Sequence, residues 1–269
     1  MNPWSTNPTW QNFSSLYREI VAAREAPNEI GKFHHLTSSL YFGIATLEGF
    51  LNQRMRGHLA SNTTEKKILD KLRSTRFLTK LEQWPAEILQ TSASVAESTM
   101  DLIRLFNEIR GDLTHPKTSG HDIYRRLETV DPDRVLIAIA EYCVRFLETR
   151  NEVFPYWFFG WNYLNPRPNT HEIFVMGNQQ FSHSLVSLGF RVPAWEAGLA
   201  DAWREQHMSS FSGYLKIKDA LDRLGHCEPK IPRFPYKPIL CSRWWTEQHH
   251  RSCGHVTQEA LKHADDASV

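Results

Sequence analysis

An arginine and a histidine lie five positions apart in the stretch FNEIRGDLTHPK, residues 106–117, where a helical pattern runs into a proline. Because Pro116 disfavours helical backbone at the residue before it, we expect the helix to end at His115. The last turn can then bring the imidazole of His115 towards the guanidinium of Arg110. Such a pair suits attack by a ribose 2′-hydroxyl on the adjacent phosphate. Histidine transfers protons near neutral pH, and arginine stabilises the negative charge that grows on phosphoryl oxygens.

The same two residues also have a structural interpretation. Basic side chains at the end of a helix face the negative end of its dipole and stabilise it. The looser spacing of four to six intervening residues is also met by Arg243 with His249 or His250. The spacing alone therefore leaves open whether Arg110 and His115 form a reactive site or a decorated helix end.

Helical periodicity fills the sequence from about residue 11 to residue 150 and predicts the elements that position this pair. One apolar stripe predicts a long buried helix through Leu36, Leu40, Ile44, Leu47, Leu51 and Met55. A second helix is expected after Thr63 and Thr64, with these residues facing inward: Ile68, Leu69, Leu72, Leu78 and Leu81. A third spans about Ala96 to Leu113, and a fourth opens at Asp131 and Pro132. These patterns predict a mainly α protein built on a helical bundle.

The composition changes at about residue 152, where aromatic residues alternate with prolines in VFPYWFFGWNYLNPRPN. This segment predicts irregular structure whose rings pack in a core, although exposed rings could also stack on unpaired bases. A further helical pattern spans roughly Ala194 to Leu224. We therefore predict a bundle over residues 1–151 and, over residues 152–269, an aromatic- and proline-rich extension of mixed helix and irregular structure. The extension is expected to pack on the bundle or to form a small second domain.

Two stretches resemble the HEPN family, the higher eukaryotes and prokaryotes nucleotide-binding domains. FNEIRGDLTHP is similar to the family's R-x4-6-H helix, and SLYFGIATLEGFLNQ is similar to the helix before it, with its acidic residue. The resemblance covers about residues 30 to 150 and implies that Arg110 and His115 are the motif residues. Glu48 and Asn52 are supporting candidates, because an i,i+4 pair on a neighbouring helix could hydrogen-bond a buried guanidinium. They could equally be part of a solvent-facing polar stripe.

The resemblance implies a metal-independent endoribonuclease of toxin or antiviral-defence type, with RNA as substrate, a homodimer interface at the pair, and an antitoxin or regulatory partner. One position departs from the family pattern. Gly111 stands where the family often has a polar residue after the arginine, and Asp112, one position later, is the nearest supporting candidate. This departure keeps a second interpretation open, a non-catalytic HEPN-like nucleotide-binding, RNA-binding or scaffold module. A third is a helical partner protein without a site.

Bulk composition narrows the remaining classes. A formal net charge of +1 supplies no global field for polyanions, so contact with RNA would depend on a local patch. The sequence contains no apolar run near the roughly 20 residues that span a bilayer, and we expect a cytoplasmic protein without membrane contact. No cofactor is expected, although Cys227, Cys241, Cys253 and His255 could ligate zinc. Their wide spacing is not that of a zinc knuckle, and free cysteines are often small buried apolar groups.

Overall fold

The computed structural model describes residues 8–115, 123–159, 163–164, 174–175 and 209–227, and it is mainly helical. Chain contacts divide it into two compact units, Met1–Arg150 and Asn151–Val269. The first unit contains α1 Pro8–Glu25, α2 Glu29–Leu59, α3 Glu65–Ser74, α4 Phe77–Leu89, α5 Glu97–Thr114, α6 Ile123–Glu128 and α7 Pro132–Thr149. The predicted mainly α fold class is confirmed.

Helix α2 is the longest of the described helices and contacts α1, α3, α4, α5, α6 and α7. The residue that caps its start is Asn28, whose side chain accepts a hydrogen bond from the backbone N–H of Gly31 at 2.8 Å. This side-chain cap satisfies one of the amides that a helix start leaves free. All six residues of the predicted apolar stripe, from Leu36 to Met55, are buried. The periodicity of the sequence therefore predicts the buried face of α2 correctly.

The single second helix predicted after Thr64 is wrong, because the structure has two helices there. Helix α3 ends at Ser74, and Thr75 and Arg76 are extended before α4 starts at Phe77. Because the chain is extended between the two helices, the apolar face of α4 is not in phase with that of α3. Leu78 is 38% exposed, whereas Leu81 remains buried. The apolar spacing continues through the break and gives no sign of it.

A proline inside α4 removes one backbone donor, and a tyrosine from another helix compensates. Pro85 has no N–H, so the carbonyl of Leu81, four residues earlier, lacks its usual helical partner. The buried hydroxyl of Tyr142 on α7 donates to that carbonyl at 2.8 Å. This bond ties α4 to α7 in the core. Burial also raises the pKa of the Tyr142 hydroxyl, which stays protonated as a donor.

Helix α7 starts as the sequence predicts and forms the most buried element of the first unit. The side chain of Asp131 accepts from the backbone N–H of Asp133 at 2.9 Å, and Pro132 occupies the first turn. Eleven of its residues between Val135 and Leu147 are buried, and α7 contacts α1, α2 and α5. A helix that is apolar around most of its circumference is expected at the centre of a bundle.

The described part of the second unit combines short elements with one helix. It contains a 3₁₀ helix Tyr156–Phe159, the strands β1 Tyr163–Leu164 and β2 Phe174–Val175, and α8 Phe211–Cys227. The two strands pair antiparallel. Phe154, Phe159 and Tyr214 are buried with ring centroids 5.1–5.8 Å apart, so these aromatic residues pack in a core, as predicted. The predicted helical pattern before residue 209 lies outside the described residues.

None of the helices in the described ranges combines the length and the apolar character that a membrane-spanning segment requires.

Candidate functional site

The candidate pair lies at the carboxyl end of α5. Arg110 is half-buried on the helix, and His115 is the exposed residue at which the helix ends, as predicted. The backbone N–H of His115 donates to the carbonyl of Gly111 at 2.8 Å and closes the last turn. His115 itself has non-helical backbone angles, φ −135° and ψ 73°, because the following proline excludes the helical conformation.

A short chain of hydrogen bonds fixes this helix end to α2. The hydroxyl of Thr114 donates to the carbonyl of Arg110 at 2.8 Å, and it lies 2.5 Å from the hydroxyl of Tyr41. Since the single proton of Thr114 is already used, Tyr41 is the donor to Thr114. Tyr41 therefore holds the turn that carries both candidate residues. The role of Tyr41 is not apparent from the sequence, because only the pairing of α2 with α5 reveals it.

The guanidinium of Arg110 differs from that of Arg104 on the same helix. Arg104 forms ion pairs with Glu82 at 3.1 Å, Glu97 at 2.6 Å and Asp101 at 2.9 Å. The hydrogen bonds that Arg104 donates, first to Glu97 and then to Glu82, raise the pKa of its guanidinium. Among the described residues, by contrast, the side chains of Arg110 and His115 have no hydrogen bond or ion pair. Their donors are available to an anion such as a phosphate.

Among the described residues, no hydrogen bond or ion pair joins Glu48 or Asn52 to Arg110. Glu48 accepts from the ammonium of Lys80 on α4 at 2.6 Å, and the Lys80 side chain is only 3% exposed. That ammonium also lies 5.3 Å from the centroid of the Trp84 ring. Glu48 therefore neutralises a buried lysine. The buried side-chain oxygen of Asn52 has no hydrogen-bond partner among the described residues.

Asp112 is likewise engaged away from the pair. Its carboxylate accepts from Arg126 of α6, which also bonds Glu108 at 3.0 Å, so these contacts tie α6 to α5. At Gly111, an added Cβ would meet nothing within 4 Å. The position that departs from the family pattern is therefore open enough to hold a side chain, although none is present.

Three basic residues of α2 to α4 form ion pairs with carboxylates. Arg56 pairs with Glu65 at 2.8 Å, Lys71 pairs with Glu87, and Lys80 pairs with Glu48. A cavity of about 460 Å³ near the carboxyl end of α2 is lined by Gln53, Arg54, Gly57, His58 and Arg150. Its basic groups lie near the ends of α2 and α7, where cations stabilise the helix dipoles. We assign it a structural role.

The zinc candidates lie almost entirely outside the described residues. Cys241, Cys253 and His255 are not described, and Cys227 is the last residue of α8. Within the described ranges, no group of three or more His, Cys, Asp or Glu side chains could hold a metal ion. Cys143 is fully buried as a free thiol, and burial raises its pKa, which makes it a packing group rather than a nucleophile.

Comparison of the chain with protein-family models, with curated proteins and with solved structures finds no match.

Proposed function

We propose that this chain is a metal-independent endoribonuclease of toxin or antiviral-defence type, in which Arg110 and His115 carry the chemistry. The observation that carries the proposal is the state of the Arg110 guanidinium. It is half-buried, it lies one turn before an exposed histidine, and it makes no ion pair among the described residues. A half-buried cation without a protein partner is favourable where an anionic ligand supplies the missing charge.

The proposed reaction is attack of a ribose 2′-hydroxyl on the adjacent phosphorus. His115 removes the proton of the 2′-hydroxyl, the new O–P bond forms, and the bond to the 5′-oxygen of the next nucleotide breaks. Arg110 stabilises the charge on the non-bridging oxygens. The products are a 2′,3′-cyclic phosphate and a 5′-hydroxyl. The leaving oxygen needs a proton, and in a homodimer the second copy of His115 can donate it.

The alternative is a HEPN-like module that binds a nucleotide or RNA, or serves as a scaffold, without turnover. Two observations favour it. Gly111 provides no polar side chain beside Arg110, and the neighbouring carboxylate of Asp112 is held by Arg126. In this case the two basic side chains would hold a phosphate, and no group would assist the displacement.

Incubation of labelled single-stranded RNA with the purified full chain in the presence of a chelator tests the proposal. We expect cleavage by the wild type and a loss of at least about 100-fold in rate for His115→Ala, the usual contribution of a general base. His58→Ala is the matched control, because His58 also lies in the last turn of a helix. Sedimentation of the same samples reports whether the active species is a dimer.

Binding without cleavage by the wild-type chain would contradict the nuclease and support the alternative module. Cleavage by His115→Ala at the wild-type rate would show that His115 does not catalyse the reaction and would contradict the proposed site. A chain that neither binds nor cleaves RNA would contradict both functions.

A further inference from the structure

A cavity opens beside the candidate pair, between the start of α2, the end of α5 and α6. Its volume is about 620 Å³, which falls within the range of small-molecule sites. Its lining includes Glu29, Phe33, His34, Thr37, Leu113 and Tyr124. Ile30 also lines it and is 83% exposed, and Tyr124 is 59% exposed. Two large apolar side chains thus face solvent at one place.

The cavity lies next to Arg110 by the geometry of α5. Leu113 is three residues after Arg110, so the two side chains are neighbours on one face of the helix, with Cβ atoms about 5–6 Å apart. Thr37 lines the same cavity one turn before Tyr41, whose hydroxyl holds the turn of α5 that contains Leu113. If Arg110 binds the phosphate of a nucleotide, the base of that nucleotide can therefore reach this cavity.

The walls of the cavity suit a flat ring. The rings of Phe33 and Tyr124 lie 5.7 Å apart at an angle of 45°, with Phe33 buried and Tyr124 open to solvent. The imidazole of His34 adds a third ring, which is exposed. Unpaired nucleobases are commonly recognised by stacking on such side chains and by hydrogen bonds to the base edge.

Two polar groups of the cavity can form hydrogen bonds with a ligand. Among the described residues, the carboxylate of Glu29 and the hydroxyl of Thr37 have no hydrogen-bond partner. An ionised carboxylate accepts with both oxygens and donates nothing. Guanine presents two adjacent donors, N1–H and the 2-amino group, which match the two oxygens. Uracil presents one donor on this edge, and adenine and cytosine each present an amino group beside an acceptor.

We propose that this cavity binds a guanine base of the RNA substrate, stacked on Tyr124 and read by Glu29, next to the phosphate that Arg110 holds. The inference rests on the proposed function, because it assigns a base preference to the same site. It does not require cleavage to be detected, since a single nucleotide carries both the base and the phosphate.

Calorimetric titration of the full chain with the four nucleoside 3′-monophosphates tests the inference. We expect guanosine 3′-monophosphate to bind most tightly, and Glu29→Gln to weaken its binding by about tenfold without changing the binding of uridine 3′-monophosphate. Glu25→Gln, an exposed carboxylate at the end of α1, is the matched control. Tyr124→Ala should weaken all four nucleotides, and Tyr124→Phe should restore them, because stacking needs the ring alone.

Equal binding of all four nucleotides, or binding that Glu29→Gln and Tyr124→Ala leave unchanged, would overturn the inference. The result is separable from the proposed function. If guanosine 3′-monophosphate binds through Glu29 but the chain does not cleave RNA, the result would contradict the proposed nuclease activity and leave the base site standing. RNA cleavage without a guanine preference and without sensitivity to Glu29→Gln would contradict the base site alone.

Discussion

The arginine side chains of α5 differ in their ion-pair partners. Arg104 is surrounded by three carboxylates and needs nothing further, whereas Arg110, six residues later, has no such partner among the described residues. The sequence predicts the position of Arg110 and His115, because Pro116 marks the helix end. It does not predict the partner of Glu48. The ammonium of Lys80 comes from another helix, 32 residues away, and a lysine is rarely buried without a charge partner.

Gly111 directly follows Arg110 and carries no side chain. The substitution Gly111→Asn places a polar amide directly after Arg110 in a position where an added Cβ meets nothing. We expect the free energy of unfolding to change by less than about 0.5 kcal/mol, because Asn and Gly differ little in helix propensity. We also expect RNA cleavage in chelator to become faster, since the amide can orient the guanidinium or the phosphate.

Gly57→Asn provides the matched control for this change. Gly57 also lies in a helix with open space around an added Cβ, but it is in the last turn of α2, away from Arg110 in the sequence. It should leave the cleavage rate unchanged. An equal or slower cleavage rate for folded Gly111→Asn would show that the missing polar side chain at position 111 does not limit the cleavage rate.

The helices show why periodicity predicts some elements and misses others. The stripe of α2 and the Asp131 cap of α7 are local signals, and both are confirmed. The break between α3 and α4 at Thr75 and Arg76 carries no glycine or proline, so no local signal marks it. Conversely, Pro85 is a strong local breaker, yet α4 continues through it because Tyr142 of α7 supplies the missing donor.

The bond between Tyr142 and Leu81 gives a stability prediction for α4. Tyr142→Phe leaves a buried carbonyl without a partner and should lower the free energy of unfolding by about 1–3 kcal/mol in denaturant titrations. In the Pro85→Ala background the loss should be smaller, because an alanine at this position has an N–H that can bond the Leu81 carbonyl. Additive effects of the two substitutions would show that the tyrosine does not compensate for the proline.

Chain contacts divide the whole molecule into two units, Met1–Arg150 and Asn151–Val269. The first unit is the helical bundle that presents the end of α5. The sequence predicts this architecture because helical periodicity is a local property. Side-chain pairing across the bundle depends on contacts between distant segments, such as Tyr41 with Thr114, and local patterns do not encode them.

Chemical analysis of the RNA ends tests the central claim most directly. After incubation of the full chain with RNA in chelator, we predict by mass spectrometry a 2′,3′-cyclic phosphate on one fragment and a 5′-hydroxyl on the other. A 2′-deoxy substitution at the cleaved nucleotide should prevent the reaction, because it removes the attacking hydroxyl. Fragments with a 3′-hydroxyl and a 5′-phosphate, or cleavage that tolerates the 2′-deoxy sugar, would contradict the role assigned to Arg110 and His115.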